Sequence, residues 1–286
     1  SRLRVSSTVM GLTVVALGTS APEFAVTFLA AFEGREDISV ANIVGSNIFN
    51  LGLILGGVAL IRPIPTSRLV IHRDGSFLIL ATLLVFFLVA FDLELSRSDG
   101  LILFLSLMVY FWVLMNFGAP RVGRAGDAAV SAVSLQPEQT LRRGGTHLLM
   151  GLAVLALSAH LLVVSASSLA VSFGVSEWVV GVTIVAAGTS IPEFATALAG
   201  VVRRQYGLSL GNIIGSDLFN ILGVLGLAGI LRGMHVDTAA RASLGALCLM
   251  AVTAVFFMRS EWRLSRMEGL LLVAFALLRW GFNLSG

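Results

Sequence analysis

The 286-residue chain has no lysine, a single cysteine, two tyrosines and only 12% charged residues. With Cys248 alone, an internal disulfide and a thiolate metal centre are both excluded. The 19 basic residues are all arginine, scattered singly or in pairs between apolar runs. No basic stripe is present, so the isoelectric point near 9.9 does not point to nucleic acid as a partner. A chain that is 57% hydrophobic, with mean hydropathy +0.94, is too apolar for the water-facing surface of a soluble globule. No signal-peptide pattern precedes the first apolar stretch at Val5 and the chain opens on Ser1, so we expect upstream sequence to be missing.

What is present is a series of apolar runs. Taking about 20 residues per bilayer crossing, charge, Gly and Pro delimit helices at 5–32, 38–61, 75–93, 99–118, 145–168, 175–201, 208–231, 240–258 and 265–283. Nine crossings put the two ends on opposite faces. Alternate connections then hold 14 arginines on the side of Ser1 and 5 on the other, among them Arg35, Arg232 and Arg241, which places Ser1 in the cytoplasm. The polar stretch 119–144 is expected to be a cytoplasmic linker between two halves, 1–118 with four spans and 145–286 with five. Trp178, Trp262 and Trp280 lie near expected helix ends and read as interfacial anchors. His160 reads as a hydrogen-bonded packing residue within a span.

Residues 11–61 align with 181–231 at a constant offset of 170, with 20 of 51 positions identical. Two blocks carry the match. GTSAPEFA at Gly18–Ala25 corresponds to GTSIPEFA at Gly188–Ala195, and NIVGSNIFN at Asn42–Asn50 to NIIGSDLFN at Asn212–Asn220. An odd number of crossings separates the copies, so they run in opposite directions. Such inverted pairs meet at a binding site near the midplane.

Three carboxylates lie deep in the expected spans, Glu23, Glu193 and Asp217, and no arginine lies comparably deep. An ionised group at the bilayer centre costs about 2.5–3.5 kcal/mol even on the lenient scale. Three of them without a counter-charge require a cation or bound protons. Pro22 and Pro192, each just before a deep Glu, remove the donor for the carbonyls of Gly18 and Gly188, so each helix must open there. Opened backbone is tolerated in a membrane where its carbonyls line a cavity or bind a ligand, which makes Ala16, Thr19, Ala186 and Thr189 candidates. Ser46 and Asn50 share one helix face, as do Ser216 and Asn220. Their oxygens can project toward the broken helices. The result is an all-oxygen set suited to hard ions such as Ca²⁺ and Na⁺.

These paired blocks resemble the alpha repeats of the cation/calcium exchanger superfamily, most closely its prokaryotic sodium/calcium exchangers. The resemblance implies an all-α, polytopic membrane protein of two inverted repeats of about five helices each. The first of those ten helices is absent ahead of Val5, and no cofactor is implied because Ca²⁺ and Na⁺ are cargo. It also implies Glu23 and Glu193 as central calcium ligands with the main-chain oxygens of Thr19 and Thr189. Sodium would use Ala16, Thr19, Ser20 and Ser46 in one half and Ala186, Thr189, Ser190 and Ser216 in the other, with Asn50 and Asn220 at the centre. Some exchangers carry Asp where this chain has Asn220, and here the acid stands three residues earlier at Asp217. The function so implied is Na⁺/Ca²⁺ antiport by alternating access. H⁺/Ca²⁺ antiport on the same glutamates, a K⁺-dependent exchanger and a passive cation channel stay open as alternatives. An intramembrane hydrolase has no Ser/His or paired-Asp arrangement to support it.

Overall fold

A computed structural model describes residues 7–116, 154, 157, 158, 160–166 and 168–285. The expected linker 119–144 and much of the expected helix 145–168 lie outside the described residues. The helices are α1 (Thr8–Thr19), α2 (Ala21–Phe32), α3 (Glu36–Ile61), α4 (Val70–Val89), α5 (Arg97–Asn116), α6 (His160–Phe173), α7 (Glu177–Thr189), α8 (Ile191–Val202), α9 (Tyr206–Leu231), α10 (Ala239–Ser260) and α11 (Arg266–Ser285). Among the described residues, five of them are long and apolar enough to cross a membrane. That number rises to seven spans when the bent pairs α1/α2 and α7/α8 each count as one. The 20-residue α11 carries Arg266, Glu268 and Arg279.

The repeat extends beyond the 51 aligned positions. Reciprocal caps start both α5 and α11: Ser96 N–H donates to Asp99 (2.9 Å) and Asp99 N–H to Ser96 Oγ (3.2 Å), while Ser265 and Glu268 repeat the exchange at 2.8 and 3.3 Å. Two short antiparallel ladders mark the ends of the bundle. Ile64–Pro65 (β1) pairs with Arg263–Leu264 (β4), and Glu94–Leu95 (β2) pairs with Met234–His235 (β3). Arg266 reaches the Ile61 carbonyl beside the first ladder. Glu36 receives the His235 N–H and pairs with Arg232 beside the second. Equivalent connections therefore lie at opposite ends, which is the inversion. Arg35, Arg232 and Arg241 gather at the β2/β3 end, as expected from alternate connections.

The repeated long helices α3 and α9 occupy the centre, with 78% and 83% of an 18-residue apolar stretch buried against 28% for the outer α5. Outward-facing Leu80, Phe87, Leu105, Trp112 and Phe256 form an apolar surface whose natural solvent is hydrocarbon.

Three sequence expectations need correction. Helix α4 begins at Val70 rather than 75, which turns Asp74 inward. There it is fully buried, held by Arg73 through two bonds (2.8 and 2.9 Å) and by the Tyr110 hydroxyl (3.2 Å). A fourth buried carboxylate thus exists, but it is balanced by an arginine. Removing one partner of a buried pair leaves the other uncompensated, so Asp74→Asn is expected to destabilise by about 3–5 kcal/mol. Tyr110→Phe, which deletes one neutral donor, should cost about 1 kcal/mol. Thermal melting in detergent measures both. Second, Trp178 is no interfacial anchor: it is fully buried and donates to Ser243 Oγ at 3.1 Å. Ser243 also receives Arg279, a half-buried arginine on α11 (2.8 Å), while Trp280 stacks on Phe49. Third, His160 makes a hydrogen bond as expected, to Glu33 at 2.6 Å, but is half-exposed rather than packed in a core.

Candidate cation site

Each broken helix opens at a serine. Ser20 has φ −78° and ψ 8°, and α2 leaves α1 at 45°. Ser190 has φ −84° and ψ 9°, with a 46° bend between α7 and α8. Pro22 and Pro192 fall in the first turn of the following helix, where the missing N–H had no intrahelical partner to lose. Glu23 and Glu193 share that turn, so each carboxylate sits at the positive end of a helix dipole. Carbonyls at the end of the preceding helix, Ala16 and Ala186, face the break from the other side and accept the backbone N–H of Ser20 (3.0 Å) and Ser190 (3.1 Å).

The second helix of each repeat then crosses the broken helix of the other. Glycine makes the approach possible. A Cβ on Gly45 would collide with the Val182 carbonyl and lie 2.7 Å from Ala186 Cβ, and one on Gly215 would lie 2.7 Å from Leu12 backbone atoms. Asn50 begins a π-helical stretch, Asn50–Ile54, and Asn220 lies in its counterpart, Phe219–Leu225. Wide turns of this kind recur at functional positions because they re-aim side chains and leave backbone groups less regularly paired.

The side-chain bonds are exchanged between the repeats. Ser20 Oγ donates to Glu193 Oε1 (3.2 Å), and Ser190 Oγ donates to Glu23 Oε1 (3.0 Å). Thr19 Oγ1 lies 3.3 Å from Ser216 Oγ, and Thr189 Oγ1 lies 3.2 Å from Ser46 Oγ. Ser216 also reaches Glu193 Oε1 at 3.4 Å. The amides at the crossing follow suit: Asn50 Nδ2 donates to Asp217 Oδ1 (2.9 Å) and Asn220 Nδ2 to Asn47 Oδ1 (3.3 Å). Asn47 Nδ2 donates in turn to the Asp217 carbonyl at 3.2 Å. All the sequence-selected side chains except Thr19 are buried, and Glu23, Glu193, Asp217, Asn50 and Asn220 have no exposure at all.

Five buried oxygens in this cluster have no hydrogen-bond donor among the described residues: Glu23 Oε2, Glu193 Oε2, Asp217 Oδ2, Asn50 Oδ1 and Asn220 Oδ1. Burying such groups unmatched is costly unless something positive meets them. None of the three acids is in an ion pair among the described residues. Nor do three His, Cys, Asp or Glu side chains of the described residues converge there, so amides, hydroxyls and carbonyls would have to complete any coordination shell. That chemistry suits a hard cation held by oxygens of mixed charge.

The model of the sodium/calcium exchanger protein family matches residues 1–116 and 146–282. The chain belongs to the sodium/calcium exchanger family. Among relatives of this exchanger, the putative antiporter CaxA of Alkalimonas amylolytica is 39% identical over 96% of this chain and 87% of its own length. Sodium/calcium exchanger MaX1 of Methanosarcina acetivorans is 30% identical over 96% and 88%. The inner membrane protein YrbG of Escherichia coli is 35% identical over 91% and 80%. The exchanger superposes on crystal structures of the sodium-calcium exchanger NCX_Mj, in one case with TM-score 0.71 and 28% identity over 96% of this chain and 86% of that one. The present protein is therefore a multi-pass membrane exchanger of cations, with ions as cargo and no enzymatic role.

Reading the sequence overlooked two residues at the exchanger's centre. Asn42 Oδ1 receives Thr189 (3.1 Å) and Asn212 Oδ1 receives Thr19 (3.2 Å). Both asparagines open the second repeated block. Their duplication inside a buried apolar helix was the available signal.

Proposed function

We propose that this exchanger moves Na⁺ against Ca²⁺ by alternating access, with Glu23 and Glu193 as the shared central carboxylates. The observation that carries the reading is the set of five buried oxygens without a donor among the described residues, two from the first repeat (Glu23, Asn50) and three from the second (Glu193, Asp217, Asn220). Calcium lies between the two glutamates and takes main-chain oxygens of Thr19 and Thr189. Sodium ions use the carbonyls of Ala16 and Ala186 with the hydroxyls of Thr19, Ser20 and Ser216 on one side and Thr189, Ser190 and Ser46 on the other. Asn50, Asn220 and Asp217 line the centre.

The serine bonded to each glutamate supports sodium over protons as the driving ion. A hydroxyl offers a neutral oxygen to Na⁺ without competing for a proton, and its O–H already satisfies one carboxylate oxygen. The relatives named as sodium/calcium exchangers favour the same ion pair. Two ionised glutamates balance one Ca²⁺ and leave one positive charge with three Na⁺, so a cycle of that stoichiometry moves net charge. Inversion supplies two states of similar energy, open to either face, as alternating access requires. Because both ions need the same carboxylates, they exclude each other, and exclusion couples the fluxes.

In proteoliposomes loaded with sodium, calcium uptake should follow the outward sodium gradient at fixed pH and collapse when a sodium ionophore dissipates it. Uptake that tracks a pH gradient and ignores sodium would replace this reading with proton/calcium exchange. Linear, unsaturable current would replace it with a channel.

A further inference from the structure

Thr19 and Thr189 each have one hydroxyl proton and, besides the Ser216 and Ser46 hydroxyls, two acceptor oxygens placed to take it. Thr189 Oγ1 is 3.1 Å from Asn42 Oδ1 and 3.2 Å from the Ala186 carbonyl, and Thr19 Oγ1 is 3.2 Å from Asn212 Oδ1 and 3.3 Å from the Ala16 carbonyl. The choice matters. A proton given to the amide leaves the carbonyl lone pair available for a cation, whereas a proton given to the carbonyl uses that lone pair up.

Which acceptor wins depends on the far side of each amide. Asn42 Nδ2 donates to Thr27 Oγ1 (3.1 Å) and to the Glu23 carbonyl (3.4 Å), which fixes Oδ1 toward Thr189. Asn212 is its counterpart at the offset of 170, but Ala197 stands where Thr27 does, and Asn212 Nδ2 is buried without an acceptor among the described residues. The rest of the local frame is the same: Ser39 donates to the Thr27 carbonyl (2.9 Å) and Ser209 to the Ala197 carbonyl (3.0 Å). Turning the Asn212 amide over would present its NH₂ to Thr19 and withdraw that acceptor, leaving the Ala16 carbonyl and the Ser216 hydroxyl to take the threonine proton. For Asn42 the same turn would forfeit both of its donor bonds.

We propose that Asn42 and Asn212 are positioning residues for the two threonines, and that the Thr27/Ala197 difference makes Ala186 a fixed cation ligand and Ala16 a switchable one. The two halves of a symmetric site are thereby unequal: sodium bound at Ala16 must hold the Asn212 amide in one orientation, while sodium at Ala186 finds its ligand ready. The proposal rests on the reading of Ala16 and Ala186 as sodium ligands.

The test compares sodium and calcium half-saturation of wild type, Ala197→Thr, Ala197→Ser and Thr27→Ala in proteoliposomes, with folding checked by size exclusion and melting. Ala197→Thr gives Asn212 Nδ2 its missing acceptor, and Ala197→Ser does so without the extra methyl, should the packing beside Ser209 be too tight for threonine. Either should lower sodium half-saturation by between about 2-fold and 10-fold, the worth of one hydrogen bond, with calcium half-saturation changed less than twofold. Thr27→Ala should raise sodium half-saturation by a similar factor. A merely structural role would lower the maximal rate or shift both ions together, and that result overturns the proposal, as does sodium half-saturation unchanged in every folded variant. Wild-type uptake indifferent to sodium would overturn the antiport reading and this proposal with it.

Discussion

Glu193→Gln is expected to reduce sodium-driven calcium uptake by more than a hundredfold, and Glu23→Gln should match it. Glutamine keeps the shape and still accepts the bonds that Ser20 and Ser216 make to Glu193 Oε1, so the fold survives. What it loses is one of two charges that face a divalent ion in a water-poor centre. Leaving a buried charge half-compensated costs about 3–5 kcal/mol, and at 1.4 kcal/mol per tenfold this exceeds two decades. Asp217→Asn should weaken transport far less, since Asp217 bonds the Asn50 amide at the helix crossing, whereas the serines of the two breaks bond the two glutamates. Flux in proteoliposomes checks all three. Substantial calcium uptake by folded Glu193→Gln protein would remove the carboxylate pair from the mechanism.

Gly45→Ala is expected to abolish exchange for a different reason. The added methyl would run into the Val182 carbonyl and sit 2.7 Å from Val182 Cα and Ala186 Cβ, contacts made by backbone and a short side chain that cannot swing away. Overpacking of this kind costs typically about 1–3 kcal/mol. Here it also pushes α3 away from α7, separating Ser46 from Thr189. Gly57→Ala on the same helix meets nothing within 4 Å among the described residues and removes a helix-weakening glycine, so it should leave transport intact and raise the melting temperature slightly. Equal behaviour of the two variants would show that helix propensity, not the crossing, decides at position 45.

Much of the site is legible in the sequence. Duplicated Pro-Glu pairs announced two broken helices, and unbalanced acids in hydrocarbon announced a cation. Smaller features were not. Asp74 and Arg73 are neighbours in sequence and read as loop charges, because nothing local says that α4 starts early enough to bury them. Trp178 sits at a helix start, where an anchor and a core residue look alike until Ser243 is seen beneath the indole. The Asn42 and Asn212 roles depend on the presence of Thr27 in one copy and Ala197 in the other, and that difference acquires meaning only once both amides are known to be sealed from water.

The sequence by itself determined the solvent, the inverted duplication and the chemistry of the donor set, because hydropathy, charge balance and a constant offset are properties of one dimension. Only the tertiary structure decided that the hydroxyl partners are exchanged between repeats, Ser20 with Glu193 and Ser190 with Glu23. Spacing along one helix shows which side chains share a face. It does not show which helix that face will meet, and here the meeting is set by close crossings at Gly45 and Gly215 between segments well over a hundred residues apart in the chain.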